Sequence, residues 1–334
     1  MIFDSESVFE DNVITVLKQH GWKDGVLRYP TEQDLLDNWK GILYRNNNDI
    51  DRLGKYPLTD GEMAQIIEQI ETLRTPLALN SFVNGRTVSI TRDNKEDVAH
   101  FGKEISLYIY DRKEIAGGKS TYQIAQQPVY PAKNKMLNSR RGDLVLLING
   151  MPLIHIELKK SGIPVSQATN QIEKYTHEGV FTGLFRLVQI FVAMNPDDAV
   201  YFANPGVDKF NPSYYFHWAD YNNEPICGGQ NPGKDEWKLF IGGTSGTAGL
   251  LSIPMAHQLI GFYTIADSAD GCLKVLRSYQ YIAANAISDV VRKCDWEQRP
   301  ATPGRPGGYV WHTTGFREKI HDQLQIGTAH RRFA

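Results

Sequence analysis

The run Gly142-Asp143-Leu-Val-Leu-Leu-Ile148, then Asn149-Gly150, then Met151-Pro-Leu-Ile-His-Ile-Glu-Leu-Lys159, constrains the fold more than any other stretch of this chain. Two apolar runs flanking a dipeptide that favours tight turns predict a hairpin inside a sheet. Side chains alternate along a strand, so Ile154, Ile156 and Leu158 share one face, and His155, Glu157 and Lys159 share the other. Two acids and a lysine on a buried sheet are costly unless a cation or a substrate offsets them. The turn decides whether Asp143 joins that face. A two-residue Asn149-Gly150 loop would pair Ile148 with Met151 and Asp143 with Ile156, opposite in face to Glu157. A three-residue loop, or a bulge at Gly150, shifts the register by one and brings Asp143 across from Glu157. Cross-strand Cβ atoms are then about 4.5–5.5 Å apart, close enough to share one metal ion. The expectation is therefore a bulged or longer turn, and a tight one would count against a shared site.

A length of 334 residues suggests two domains. Hydrophobic content of 41% with 22% charged residues is that of a soluble globular protein with ample core. No apolar run approaches the roughly 20 residues of a membrane span. The start, Met-Ile-Phe-Asp-Ser-Glu, lacks the basic and apolar stretches of a signal peptide, so a cytoplasmic location without membrane contact is expected. Cys227, Cys272 and Cys294 lie far apart and read as reduced thiols. A net charge of −2 neither favours nor excludes nucleic acid. Lys133, Lys135, Arg140 and Arg141 before Asp143, and Lys159-Lys160 after Glu157, could hold phosphates; the first four read equally well as solvated loop charges.

Periodicity predicts helices over residues 5–20, 31–45, 60–74, 166–178, 253–264 and 279–293. Strands are predicted over 87–92, 104–110, 121–130, the 143–159 hairpin, 187–194, 201–203 and 309–311. The mixture is α/β, a mixed sheet with helices packed on it. Residues 203–249 are rich in Gly, Pro and Asn and end in Gly242-Gly-Thr-Ser-Gly-Thr-Ala-Gly249. With no clean strand before it and no lysine after it, this run reads as a flexible interdomain linker rather than a phosphate cradle.

Phosphodiester hydrolysis needs a divalent metal to neutralise the phosphate and activate water. Asp143 and Glu157 would supply hard oxygen ligands suited to Mg²⁺. Lys159 would stabilise charge on the pentavalent phosphate and help hold the water. Glu-x-Lys recurs by chance, but here it lies on an apolar strand paired to one that carries the aspartate. The plainer alternative is an edge-strand salt bridge between Glu157 and Lys159. Gln171 and Tyr175 are four apart on a predicted helix and share a face, from which both could reach a phosphate; alone they would read as a solvated surface. His155 lies on the acid face, but a single histidine there is more often a core residue and is not counted in the site. Glu6 or Glu10 could send a carboxylate inward from the first helix, although exposed charge is the simpler reading.

Taken together, these residues resemble the N-terminal part of the motor-nuclease (R, or HsdR) subunit of type I restriction-modification enzymes. The resemblance rests on the 143–160 hairpin, on Asn170-Gln-Ile-Glu-Lys-Tyr175 and on Tyr201-Phe-Ala-Asn204. It extends to Leu276-Arg-Ser-Tyr-Gln280 and Gly307-Gly-Tyr-Val-Trp-His-Thr-Thr-Gly315, in the family's order. It implies a PD-(D/E)xK endonuclease fold with Asp143, Glu157 and Lys159 as the catalytic set, Gln171 and Tyr175 as an accessory pair, and an acid from the first helix, for which Glu10 is the choice. It also implies Mg²⁺, a duplex DNA substrate and partnership with methyltransferase and specificity subunits. A helicase motor would follow, in which Gln280 reads the adenine of ATP. The domains expected are then an endonuclease over 1–240, a linker and the start of a first motor domain over 241–315, and an aberrant tail over 316–334. A stand-alone RecB-like or junction-resolving nuclease would share the triad without needing the segments around 280 and 307–315. A docking or DNA-binding module would carry the acids as structure only.

The family's phosphate loop continues with Ser-Gly-Lys-Thr, whereas this chain reads Gly315-Phe-Arg-Glu-Lys-Ile320. The expectation is a truncated motor that does not hydrolyse ATP and a fragment that cuts DNA weakly or not at all alone. Phe-Arg-Glu can be encoded TTC AGG GAA; read one base later, with an A following, this gives Ser-Gly-Lys. We therefore hypothesise a frameshift after Gly315. Sequencing the gene tests it: the shifted frame should encode a motor domain, and one that does not would remove the idea.

Overall fold

The computed structural model describes residues 2–115, 117–131, 140–207, 209–230, 234–269 and 271–293. The expectations for Lys133, Lys135, Cys294, the strand at 309–311, the 312–315 loop and the 316–334 tail lie outside them.

The N-terminal third is mostly helical: α1 (Glu6–Gln19), the short strand β1 (Val26–Arg28), α2 (Glu32–Asn46), α3 (Asp60–Thr72) and α4 (Pro76–Asn84). Local chemistry starts each helix. Ser5 caps α1, Thr31 and Thr59 form capping boxes with Asp34 and Glu62, and α4 places Pro76 in its first turn behind a Thr75 cap. The strands β2 (Thr87–Thr91) and β3 (Glu104–Tyr108) form a separate hairpin. Then come β4 (Tyr122–Gln126), β5 (Leu144–Ile148), β6 (Met151–Leu158), α5 (Val165–Glu178), β7 (Ile190–Met194) and β8 (Ala199–Ala203). The chain continues with α6 (Glu236–Gly242), α7 (Met255–Phe262), the pair β9 (Thr264–Asp267) and β10 (Cys272–Val275), and α8 (Ser278–Lys293).

Six strands form the central sheet in the order β1-β4-β5-β6-β7-β8. Both β1 with β4 and β6 with β7 are parallel, and the other neighbours are antiparallel. Every residue of β4 to β8 is buried, as the unbroken apolar runs imply. Alternation along β7 divides the core. Phe191 and Ala193 face α5, joining Ala168 and Ile172, while Ile190, Val192 and Met194 face the main core. Because His155 pairs with Phe191 and Glu157 with Ala193, the acid face of β6 is the α5 face.

The turn differs from the expectation. Ile148 pairs directly with Met151 across a tight Asn149-Gly150 loop, both residues having positive φ (52° and 83°). The bulge lies farther along. The register shifts between Leu146 and Leu147, whose partners are Ile154 and Pro152, leaving Leu153 as the extra residue. Pro152 has no N–H to donate to a ladder, and the Leu153 carbonyl accepts from the Gln189 N–H (2.9 Å), so the irregularity is satisfied from both sides. The one-residue shift that Asp143 requires is therefore present, three positions beyond Gly150.

The glycine-rich run at 242–249 also differs from the loose linker expected. It closes on itself through a bridge between Gly243 and Ala248. The indole N–H groups of Trp218 and Trp22 hold the carbonyls of Ala248 (2.8 Å) and Leu251 (2.6 Å), and the Ile253 N–H donates to His20 O (2.9 Å). Leu250, Leu251, Leu259, Ile260, Leu273 and Val275 then join the main core. Glycine serves here for close approach of backbone to backbone, since a Cβ at Gly243 or Gly249 would strike the opposite limb.

At Gly150 a Cβ would lie 2.9 Å from Trp39 Cα, in a backbone region that disfavours L side chains. Gly150→Ala should destabilise the fold by about 2–4 kcal/mol, combining left-handed strain with overpacking. Denaturant midpoints of the two proteins check this; equal midpoints would mean the turn does not anchor the hairpin.

Candidate active site

The Leu153 bulge brings the three sequence-selected residues together. Leu144 pairs with Ile156, and one step on, Asp143 comes level with Glu157. Asp143 Oδ2 accepts the Leu158 N–H at 2.7 Å. Glu157 is fully buried, whereas Asp143 is only partly covered. Lys159 Nζ stands 3.5 Å from Glu157 Oε1 and 3.6 Å from Glu6 Oε1, and it donates to Leu158 O at 3.0 Å. The salt bridge between Glu157 and Lys159 is present as well, but on a central strand rather than an edge.

Electrostatics follow from that crowding. Burial, and then the negative charge of Glu157, push the Asp143 carboxyl up to about 8, although the Leu158 N–H and Lys159 pull it back. Burial likewise pushes Glu157 up to about 7 against the pull of Lys159. Glu157 Oε2 is buried with no hydrogen-bond donor. A divalent cation suits such a donor set: two buried carboxylates crowded together are hard oxygen ligands whose charge it would offset. Among the described residues no group of three His, Cys, Asp or Glu could hold a metal. A cation here would rely on Asp143 and Glu157 and complete its shell with water or phosphate, as Mg²⁺ commonly does.

Exposed charge is not what Glu10 provides. It is 3% exposed, with its carboxylate accepting from Gln126 Nε2 (2.6 Å) and Gln127 Nε2 (3.3 Å). Its carboxyl is raised chiefly by burial, with a contribution from Asp143. Glu6 keeps 45% exposure while reaching Lys159. On α5, Gln171 Nε2 donates to the Tyr175 hydroxyl (2.7 Å), which donates to Arg141 O (3.0 Å). Burial and then Glu157 raise Tyr175 to about 12, so the pair lies within reach of the acids' field, though the Tyr175 proton is engaged by a backbone carbonyl. Arg140 grips Glu178 with two bonds of 2.9 Å; Arg141 is exposed, its guanidinium 5.9 Å from the Tyr29 ring centre.

Gln280 does not join this group. Its Oε1 accepts the Arg277 N–H (2.9 Å), and it lines a separate cavity of about 350 Å³ with Tyr214, Phe216, Lys274 and Arg277. Sequence reasoning passed over Gln126 and Gln127, and it placed His155 on the face of Glu157 but set it aside as a core residue. His155 is fully buried with Nδ1 2.9 Å from the Tyr130 hydroxyl, and burial lowers its ring to about 4, so it is neutral.

Residues 4–210 match the family model described as type I restriction enzyme R protein N terminus (HSDR_N). The chain is 29% identical over 323 residues to a type I restriction enzyme endonuclease subunit of Staphylococcus saprophyticus, and 30% identical over 317 residues to one of Staphylococcus aureus strain COL. Each alignment covers 94% of this chain but 29% of the relative, so the chain spans less than a third of their length. The EcoprrI endonuclease subunit of Escherichia coli is 26% identical over 343 residues, covering 93% of this chain and 99% of that one. With more than half of its residues matched by the family model, the chain belongs to the family of type I restriction enzyme R protein N termini.

Proposed function

We propose that this chain carries the DNA-cleaving centre of a type I restriction enzyme, a Mg²⁺-dependent endonuclease of the PD-(D/E)xK fold acting on duplex DNA. The observation that carries the reading is the Leu153 bulge, which sets Asp143, Glu157 and Lys159 on one buried face. Asp143 and Glu157 would hold the cation, which when bound lowers the pKa of a coordinated water and neutralises phosphate charge. Lys159, fixed by Leu158 O and Glu157, keeps a positive charge beside the acids, where a phosphoryl oxygen gains negative charge in the transition state. The Gln126 and Gln127 amides hold Glu10 at the inner edge of the same centre. Gln171 holds the Tyr175 ring over the strand that leads into Asp143.

In the whole enzyme we place this centre in the cytoplasm, in a complex with methyltransferase and specificity subunits, cutting after ATP-driven translocation. Residues 241–315 would then be a linker and the start of the first motor domain, with Gln280 near the adenine of ATP. Alone, this chain is expected to bind metal yet cut plasmid DNA weakly or not at all.

Mn²⁺ or Mg²⁺ titration of the chain and of a folded Asp143→Ala variant, each with a short DNA duplex, tests the reading. Binding should vanish in the variant; equal binding by both, or none by either, would reduce the acids to a structural ion-pair cluster.

Both acids titrate above their unfolded values of about 4. Their neutral forms therefore favour the metal-free fold fully below about pH 4, and that contribution is lost as pH rises through about 7 and 8. Asp143→Asn keeps an acceptor for the Leu158 N–H and removes one charge. Without metal it should raise the unfolding midpoint by several degrees near pH 8.5 and hardly at all near pH 5. Metal affinity of the unaltered chain should climb across about pH 6 to 9 as protons are displaced. A flat profile in either measurement would contradict the acid pairing.

A further inference from the structure

Behind the acid pair, the same sheet face holds a closed aromatic box. His155 is enclosed by Phe181 (ring centres 5.3 Å apart, edge-on), Phe191 (6.0 Å) and Tyr130, whose hydroxyl is 2.9 Å from Nδ1. Gly142, the neighbour of Asp143, leaves room for this pair: a Cβ there would lie 2.5 Å from the Tyr130 hydroxyl and 2.9 Å from His155 Cε1. The other ring nitrogen, Nε2, stands 3.3 Å from Glu157 Oε2. Both atoms are buried, and neither makes a hydrogen bond in this structure. The two unpartnered atoms face one another, and a shift of about half an ångström would bring them to the ~2.8 Å of a bond to a charged acceptor.

We propose that Tyr130 and His155 form a positioning relay for Glu157, in which the Tyr130 hydroxyl donates to His155 Nδ1 and His155 Nε2–H donates to Glu157 Oε2. The relay rests on the reading of Glu157 as a cation ligand. It fixes the inner carboxylate oxygen and leaves Oε1, the oxygen beside Lys159, as the one open to a cation.

The tautomer follows from the carboxylate. A neutral imidazole carries one N–H. With that proton on Nδ1, the Nε2 lone pair would face an ionised carboxylate oxygen, which is repulsive between two buried atoms. With the proton on Nε2, Nδ1 accepts from the phenol and both contacts are attractive. An ionised Glu157 therefore selects Nε2–H, and the Tyr130 hydroxyl, itself boxed by Phe185 and Phe181, supplies the donor that keeps Nδ1 occupied. Such outer partners hold a metal-binding carboxylate in one orientation, and losing one commonly weakens metal binding about 10–100-fold.

Two readouts on the full chain test this without DNA cleavage. Long-range ¹H–¹⁵N correlation on the Mg²⁺-loaded protein should show His155 protonated on Nε2. Calorimetric Mg²⁺ titration should show affinity lower by about 10–100-fold in Tyr130→Phe and in His155→Phe. Both substitutions suit an aromatic box, and the tautomer measurement needs neither variant to fold. An Nδ1–H tautomer in the loaded protein, or unchanged affinity in the folded variants, would overturn the relay. If the unaltered chain binds Mg²⁺, Asp143→Ala abolishes binding and His155→Phe leaves it untouched, the relay alone fails. If the unaltered chain binds no Mg²⁺, the nuclease reading fails and the relay with it.

Discussion

Glu157 is wholly buried beside Asp143, and in that setting burial raises both carboxyls while the charge of Glu157 makes Asp143 harder still to ionise. Like charges in a poorly hydrated site interact far more strongly than on a surface, so the surroundings must either neutralise them or hold them for something that will. Several neighbours act on this pair. The Leu158 N–H reaches Asp143, the Lys159 ammonium stays close to Glu157 and Glu6, and two glutamine amides rather than a cation receive Glu10. None of them discharges the pair completely. A site arranged only for stability would more simply place apolar side chains here, since buried ionic clusters rarely outdo good packing.

The hairpin gains its meaning from one misfit residue. A regular ladder from the Asn149-Gly150 turn would have put Asp143 and Glu157 on opposite faces. The extra residue at Leu153 reverses that without loosening the turn, where Asn149 also binds the 121 backbone through its side chain. Tight turn and shared acid face, which exclude each other in a regular hairpin, thus coexist.

Much of this was legible in the sequence, because it depends on local periodicity. Alternation alone separated Ile154, Ile156 and Leu158 from His155, Glu157 and Lys159, and helical periodicity placed helices over 5–20, 31–45 and 60–74, where α1, α2 and α3 stand. The features that escaped rest on partners remote in the chain. The bulge position depends on Gln189 taking the Leu153 carbonyl, and the inward turn of Glu10 depends on Gln126 from β4. Strand β1 is three residues long and exists through its parallel pairing with β4, too short for any pattern to show. The glycine run looked loose because composition records freedom of the backbone and not the tryptophan N–H groups that remove it.

That anchored run has a mechanical side. The chain beyond residue 250 is attached at the C-terminal end of α1, through Ile253 N–H to His20 O and through the Trp22 indole to Leu251 O. The same helix carries Glu10 midway along its length, against Asp143. The same part of the chain also meets the central sheet directly, through the His257 ring at the Tyr122 hydroxyl (2.9 Å) and through the Leu276 carbonyl that accepts from the Tyr201 hydroxyl (2.8 Å), so it is tied to the sheet that carries the acids from two strands as well as from the helix that carries Glu10.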